Sequence, residues 1–600
     1  MAENRPGGRP RRSFYVVLFL VVAGLAAYGL RGYIFPQGGD QGPREPQRPI
    51  SLDDITPPTP PSDAMPGGTP GDGPEAPDEN TVTTVKEYSY VPSEKLPPVS
   101  GVSNYEPLAD RTIRFALNVW AGWAPIILFN EGKGPGKLWN VPGGEPFKVE
   151  LVLIDDPVAM RDAYAAGQVH VGWGTLDMVP LFMEELQKDS RIRPRVFQQV
   201  DWSNGGDGIV IRRSAAKDPQ HPNIADLRGK KVVLAQNSPS QFFVLNTLIS
   251  GGVQPAEVEF IFTQDAFQAA AAFNTNKDIA ACVSWAPDIY NLTKIESNHL
   301  LVTTATANKL IADVWFARAD FAKDHADICE GLVRGIFDGM EMMKTDQGRQ
   351  QAAGLMAKLY NIPADECLGM LGDAHSTNYA ENREFFMNQN NPANFERTWG
   401  TANYLYRHIG KISSPVPFDS VMDFSILQKL ASEEKYASSK NEYAVNFTPK
   451  TVQSIQAESG EILTKTIRIH FYPNSFDIRK TIIATEGGKE VEKLYDPNVD
   501  FVLEEVGKLA GQYGAARIVI EGHTDASMKG QVTASLVREL SMNRANAVKE
   551  ALVAKFPSLD PKQFSADGKG WDVPANPDAP MNHAENRRVE IKVYPLEAPE

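Results

Sequence analysis

The chain is short of the residues on which redox and metal chemistry depend. Its 600 residues include three cysteines, Cys282, Cys329 and Cys367, which permit at most one disulfide, and no Cys-x-x-Cys pair occurs. That argues against zinc ribbons and thioredoxin-like chemistry. His523 has no second His or Cys at ligand spacing, so no metal is expected. A Gly-x-Ser-x-Gly elbow, a phosphate loop and a His-Glu-x-x-His helix are all missing, which argues against catalysis and against a cofactor. Positive charge is short as well. A net charge of −15 argues against nucleic acid as a partner.

The one long uncharged apolar run spans residues 14–30, behind Arg5, Arg9, Arg11 and Arg12. It is long enough to cross a bilayer. The basic residues predict a cytoplasmic tail over 1–13 and a single transmembrane helix over 14–35, with Tyr33, Ile34 and Phe35 at the interface. This places the protein in the inner membrane, with the bulk of the chain in the periplasm. A cleaved signal peptide is the alternative, and residues 23–27 offer it small side chains. Residues 36–100 are rich in Pro, Gly, Asp and Glu and read as a linker. At about 3.1 Å per residue, such a linker could reach on the order of 200 Å at full stretch.

From 101 to 410 strands and helices alternate, which predicts α/β architecture with mostly parallel sheets. Several strands end alike. One leads into Trp120-Ala121-Gly122-Trp123-Ala124-Pro125, a second into Thr175 as a helix N-cap, a third into Ser238-Pro239-Ser240, and a fourth into Trp285-Ala286-Pro287-Asp288. Ligands of open α/β sheets sit beyond the carboxyl ends of strands, so these junctions would surround one cleft. Three of these junctions carry tryptophan, Trp120 and Trp123 at the first, Trp173 at the second and Trp285 at the fourth, and a ring of indoles could wall off a small ligand. Ser238 and Ser240 would suit an oxyanion, whereas Asp207 and Asp288 would suit an amine. Asp207 could equally fix hinge backbone.

On Trp120 with Gly122, Asp207-Gly208-Ile209-Val210, Asp226-Leu227-Arg228-Gly229-Lys230-Lys231-Val232, residues 238–243 and Trp285-Ala286-Pro287, this stretch resembles the type II periplasmic solute-binding proteins. The group includes nitrate, taurine, alkanesulfonate and thiamine-precursor receptors. The resemblance implies two lobes, with the chain crossing near 206–211 and returning near 304–315. It also implies a small-molecule solute and an ABC-transporter permease as partners. Trp120, Trp123, Thr175, Asp207, Ser238, Ser240, Trp285 and Asp288 are the candidate contacts. Residues 411–465 read as a connector, or as an edge of the preceding domain.

Near the C-terminus an alternating strand, Ile518-Val519-Ile520-Glu521-Gly522-His523, delivers Thr524-Asp525 into a loop. The helix that follows puts Leu536, Leu540, Arg544, Val548 and Leu552 in one row, with Arg544 its only charge. A guanidinium there suits a carboxylate, and a nearby Asp525 could hold an ammonium, so the fitting ligand is a zwitterion. With Asn586-Arg587-Arg588-Val589, these residues resemble the OmpA-like peptidoglycan-binding domain, over 466–600. Val537 stands where that family has Asn. The resemblance implies that Asp525, Arg544 and Arg587 bind the diaminopimelate-containing peptide of peptidoglycan. Otherwise Asp525 and Arg544 form an internal ion pair.

The fold class expected is α/β: a two-lobed solute-binding domain, a small α+β OmpA-like domain and one N-terminal transmembrane helix. The function expected is capture of a solute together with anchorage to the wall. A mechanical tether, like a flagellar stator subunit, is the alternative, although the span lacks an acid for proton conduction. A thiamine-pyrimidine synthase is related to this receptor group, but it carries a dense cysteine motif that this chain lacks.

Overall fold

The computed structural model describes residues 88–596. Among them no helix is long and apolar enough to cross a membrane. The inner-membrane, single-pass placement is therefore corrected, since the span predicted over 14–35 lies outside the described residues.

In the first lobe β1 (Thr112–Leu117) buries Ile113, Phe115 and Leu117. It pairs in parallel with β2 (Lys148–Leu153) and β3 (Val171–Thr175). From β4 (Pro194–Ser203) the chain crosses through residues 204–206 into the second lobe. There lie β5 (Asp207–Arg212), β6 (Lys231–Ala235), β7 (Glu259–Thr263), β8 (Ala281–Trp285) and β9 (Asn298–Thr303). Residues 304–311 carry the return, after which β10 (Ala312–Arg318) and β11 (Ala374–Ser376) complete the first sheet. The strand orders are β11-β4-β10-β3-β1-β2 and β7-β6-β8-β5-β9.

The sheets are mixed rather than mostly parallel. β5 runs against β8 and β9, and β10 against β3 and β4. Each is the first strand after a crossing. A short crossing delivers the chain to the edge where its new neighbours end, so the entering strand must run the opposite way.

Residues 421–423 hydrogen-bond to Val196 of β4, and Leu427 and Leu430 are fully buried, so this part of the connector packs on the first lobe. The three cysteines are free and buried.

The last domain holds β12 (Leu463–Ile467), the hairpin of β13 (Thr481–Glu486) and β14 (Lys489–Leu494), β15 (Ala516–His523), β16 (Phe564–Gly570) and β17 (Arg588–Pro595). Four of these strands form a sheet in the order β12-β17-β15-β16. Against it pack the helices Val499–Gln512 and Ala534–Lys555. The second helix is rotated from the predicted row: Leu536 is half-exposed, while Val537, Ser541, Arg544, Ala545, Val548 and Leu552 are buried. Two glycines explain the rotation. A Cβ on Gly522 would strike Ser541 backbone, and one on Gly568 would strike Arg538 and Met542 backbone, so only glycine lets the helix settle on that face.

Candidate functional sites

Asp207 stands where the chain enters the second lobe. Its Oδ2 accepts from Ser203 Oγ at 2.7 Å, and that hydroxyl lies 2.8 Å from Thr304 Oγ1 on the return. Thr304 Oγ1 in turn accepts from the amides of Gly205, at 2.9 Å, and Asp207, at 3.1 Å. Gly205 has φ +102°, a left-handed conformation that favours glycine. Asp207 thus ties the two crossings together, and its Oδ1 is buried without a hydrogen-bond partner. Trp120 packs over Gly206 of the same crossing, and its Nε1 donates to Asp201 Oδ1 at 3.2 Å.

Strand register surrounds this hinge with carboxyl groups. Asp201 of β4 lies opposite Asp313 of β10, and Thr175 of β3 flanks Asp313 on the other side. Two carboxyls so placed in a dry interior cannot both ionise: burial raises both, the Asp201 charge raises Asp313 further, and the hydrogen bonds from Trp120 and Asp313 partly offset the rise of Asp201. Burial likewise pushes Asp177 and Asp373 up to about 7 and Asp207 up to about 6. None of Asp177, Asp201, Asp313 and Asp373 is marked by its sequence context. Only the pairing of distant strands gathers them.

The remaining predicted contacts divide. Trp123 points into the core, fully buried, edge-on to Phe115, with Nε1 donating to Asn118 Oδ1 at 2.7 Å. Thr175 is the last residue of its strand and not an N-cap; the helix Val179–Leu186 starts after Met178. Ser238 precedes the helix Pro239–Ser250, but its hydroxyl donates back to Ala235 O at 2.9 Å and caps no amide. Ser240 is fully buried.

Trp285 lies opposite Asp207 in register, and Asp288 opens the helix Asp288–Thr293. Burial, then Asp265, raises Asp288 to about 6. Asp265 also acts on Asp155 of the first lobe, whose carboxylate accepts from Val119 N at 2.7 Å. Asp155, Asp265 and Asp288 follow the ends of β2, β7 and β8, and the charge of Asp265 reaches both of the others.

In the last domain Asp525 follows β15 and is fully buried. Its Oδ1 accepts from Ser527 N at 2.6 Å; its Oδ2 meets Arg587 Nε and lies 2.9 Å from His583 Nδ1. Burial alone would raise this carboxyl. Arg587, with Ser527 and His583, outweighs burial and holds it at about 2. Arg544 Nε donates to Ser475 O at 3.0 Å, and its guanidinium lies 4.9 Å over the Phe471 ring. Asp525 and Arg587 are thus brought into direct contact, while Arg544 is held by the segment 471–475. His583 went unremarked in the sequence. Asn586 is its signal: fully buried, it accepts from Ala575 N and donates to Ala579 O and Asn582 O, which folds the loop that lays His583 on Asp525.

On the outer face of this sheet the ligand atoms of Glu521, His523 and Glu590 lie within 4.8 Å of one another. Lys592 Nζ stands 3.0 Å from Glu521, Lys569 Nζ 3.4 Å from it, and Arg588 Nε 2.7 Å from Glu590. Side-chain cations thus already supply the charge a metal would bring. Burial, then Arg588, lowers His523 to about 3 and leaves it neutral.

Residues 491–588 match the OmpA family, and residues 210–349 match the NMT1/THI5 like family. The taurine-binding periplasmic protein of Escherichia coli (strain K12) is 24% identical over 230 residues, covering 37% of this chain and 67% of that protein. Among solved structures, the periplasmic aliphatic sulphonate binding protein SsuA from Escherichia coli is 17% identical with a TM-score of 0.39, covering 52% of this chain and 97% of that one. The desulfurization enzyme DSZB is 15% identical with a TM-score of 0.36, covering 53% and 98%. The chain therefore combines a solute-binding domain of mixed α/β fold with a small OmpA-like domain.

Proposed function

We propose that this is a cell-envelope protein that captures a small amine-bearing solute between its lobes and grips peptidoglycan with its last domain, without chemistry on either. The observation that carries the wall reading is Asp525, kept ionised in the interior by Arg587 together with hydrogen bonds from Ser527 and His583. A ligand ammonium can take the place of His583 beside that carboxylate, while Arg544 and Arg587 answer a ligand carboxylate. Diaminopimelate offers both groups at one end. The OmpA match covers all three residues.

For the solute, the likeness to a taurine-binding protein supports a receptor, and the acids at the ends of β2, β7 and β8 favour a positive group. Asp288, with Asp155 and Asp265, would hold the amine beside Trp285. Asp207, Trp120 and Thr175 would act through the hinge. Ser238 has spent its hydroxyl on Ala235, which weakens the oxyanion reading. Delivery to an ABC-type permease is the fate assigned to the captured solute. A tether with a non-binding middle domain is the second reading, favoured by the staple in which Lys411 Nζ donates to Asn237 Oδ1 at 2.6 Å and to Glu94 O at 2.7 Å.

Sedimentation with purified sacculi tests the wall site: the native chain is expected in the pellet, and Asp525→Ala and Arg544→Ala in the supernatant. Unchanged sedimentation of both variants refutes the site. Thermal unfolding of the full chain against amino acids, polyamines and aminosulfonates tests the receptor. A ligand at a hundred times its Kd adds about 2.7 kcal/mol, a rise of several degrees. No rise across the panel favours the tether.

A further inference from the structure

The helix Val499–Gln512 and its surroundings touch the first lobe, the return crossing and the second lobe at once. On the first lobe, Arg397 Nε donates to Glu504 Oε1 at 2.5 Å, with neither side chain more than 2% exposed. Lys555 Nζ lies 3.4 Å from the other oxygen of Glu504, and the Arg397 guanidinium lies 5.2 Å over Phe556. Gly511 lets the loop before Arg397 close in, since a Cβ there would come within 2.6 Å of Pro392. On the return crossing, Lys309 N donates to Gln512 O at 3.1 Å. A Cβ on Gly514 would meet Asn308 Oδ1 at 2.8 Å. On the second lobe, Ile224 N donates to Ile462 O at 3.3 Å, and Asn223, Arg228 and Gly251 share the walls of one cavity with Glu461 and Leu463.

Charges as dry as Arg397 and Glu504 persist only with their geometry intact, so the contact specifies one docked arrangement. A two-lobed clamp opens by rotation about its crossings. A body bonded to both lobes and to one crossing must either release a contact or forbid that rotation. We infer that the surface formed by Ile224, Asn308, Lys309, Pro392 and Arg397 is a docking face for this chain's own last domain, and that docking and lobe opening exclude each other. By linkage, a wall ligand that favours one docking state shifts the clamp, and a solute shifts wall affinity by the same factor. That last clause alone rests on the function proposed above. The docking itself needs no ligand.

The test uses the full chain labelled for pulsed electron paramagnetic resonance at Glu145→Cys on the first lobe and Asp278→Cys on the second, both exposed. The native cysteines are buried, so these positions take the label. Gly511→Leu undocks by bulk and Arg397→Glu by charge. Each is expected to broaden the narrow native distance distribution and to speed amide exchange of residues 304–311 at least tenfold. A native distribution and native exchange in both variants overturn the inference. Purified sacculi added to the labelled native chain should shift the distances in the same direction. Sedimentation without a shift removes the wall linkage, whereas absence of sedimentation removes the wall reading and leaves the docking result standing.

Discussion

Asp525 in the last domain and Asp207 at the hinge are both withdrawn from water, at 0% and 2% exposure, yet one is lowered from the ordinary carboxylate range and the other raised. Burial raises Asp207 to about 6 because its neighbours are a hydroxyl and other acids. The same burial acts on Asp525, but Arg587 and His583 overcome it and hold the carboxyl at about 2. Depth therefore does not decide charge; the partners do. The difference separates two jobs. The ionised acid is the one the proposed wall site needs to meet a ligand cation, whereas the acid at the hinge ties the two crossings together.

The strongest way to break this contrast is to strip Asp525 of its main partner. Arg587→Ala leaves a buried carboxylate with only Ser527 and His583 and is expected to destabilise the last domain by about 3–5 kcal/mol in urea unfolding. In an Asp525→Asn background the same change should cost much less, and equal costs would show that Arg587 acts through packing.

A smaller effect concerns pH. Between pH ~4 and ~6 Asp207 is protonated when folded and ionised when unfolded, so the folded state binds the extra proton and stability falls as pH rises. Asp525 has the opposite sign: its contribution is complete above pH ~4 and is lost as pH falls towards 2. Asp207→Asn should flatten the first slope by about 1–3 kcal/mol and leave the acid limb unchanged. This is measured as protection of the hinge amides from pH 4.5 to 8. An unchanged slope would mean that Asp177, Asp201, Asp313 and Asp373 carry the effect without Asp207.

Much of this was legible in the chain. The strand ends and the helix Pro239–Ser250 closed by Gly251 and Gly252 follow from short-range patterns of apolar residues, prolines and glycines. What escaped was long-range. Asp201 and Asp313 are 112 positions apart and meet only because β4 lies beside β10. Trp123 reads as a cleft residue by its place after a strand, but the short helical turn Ala121–Trp123 swings its ring into the core. Leu536 and Leu540 mark the wrong helix face because periodicity cannot see Gly522 and Gly568 on the opposing strands.

The sequence by itself determined the order of the solute-binding and OmpA-like regions and many of the elements in each. Those properties depend on residues close in the chain, where backbone preference and hydrophobic spacing act directly. Only the tertiary structure decided which aspartates are charged, which indole is free to face a cleft, and that Glu504 is buried against Arg397. Each of these depends on solvent exclusion and on which partners the closed fold brings alongside, and neither quantity exists until the sheets and domains have closed.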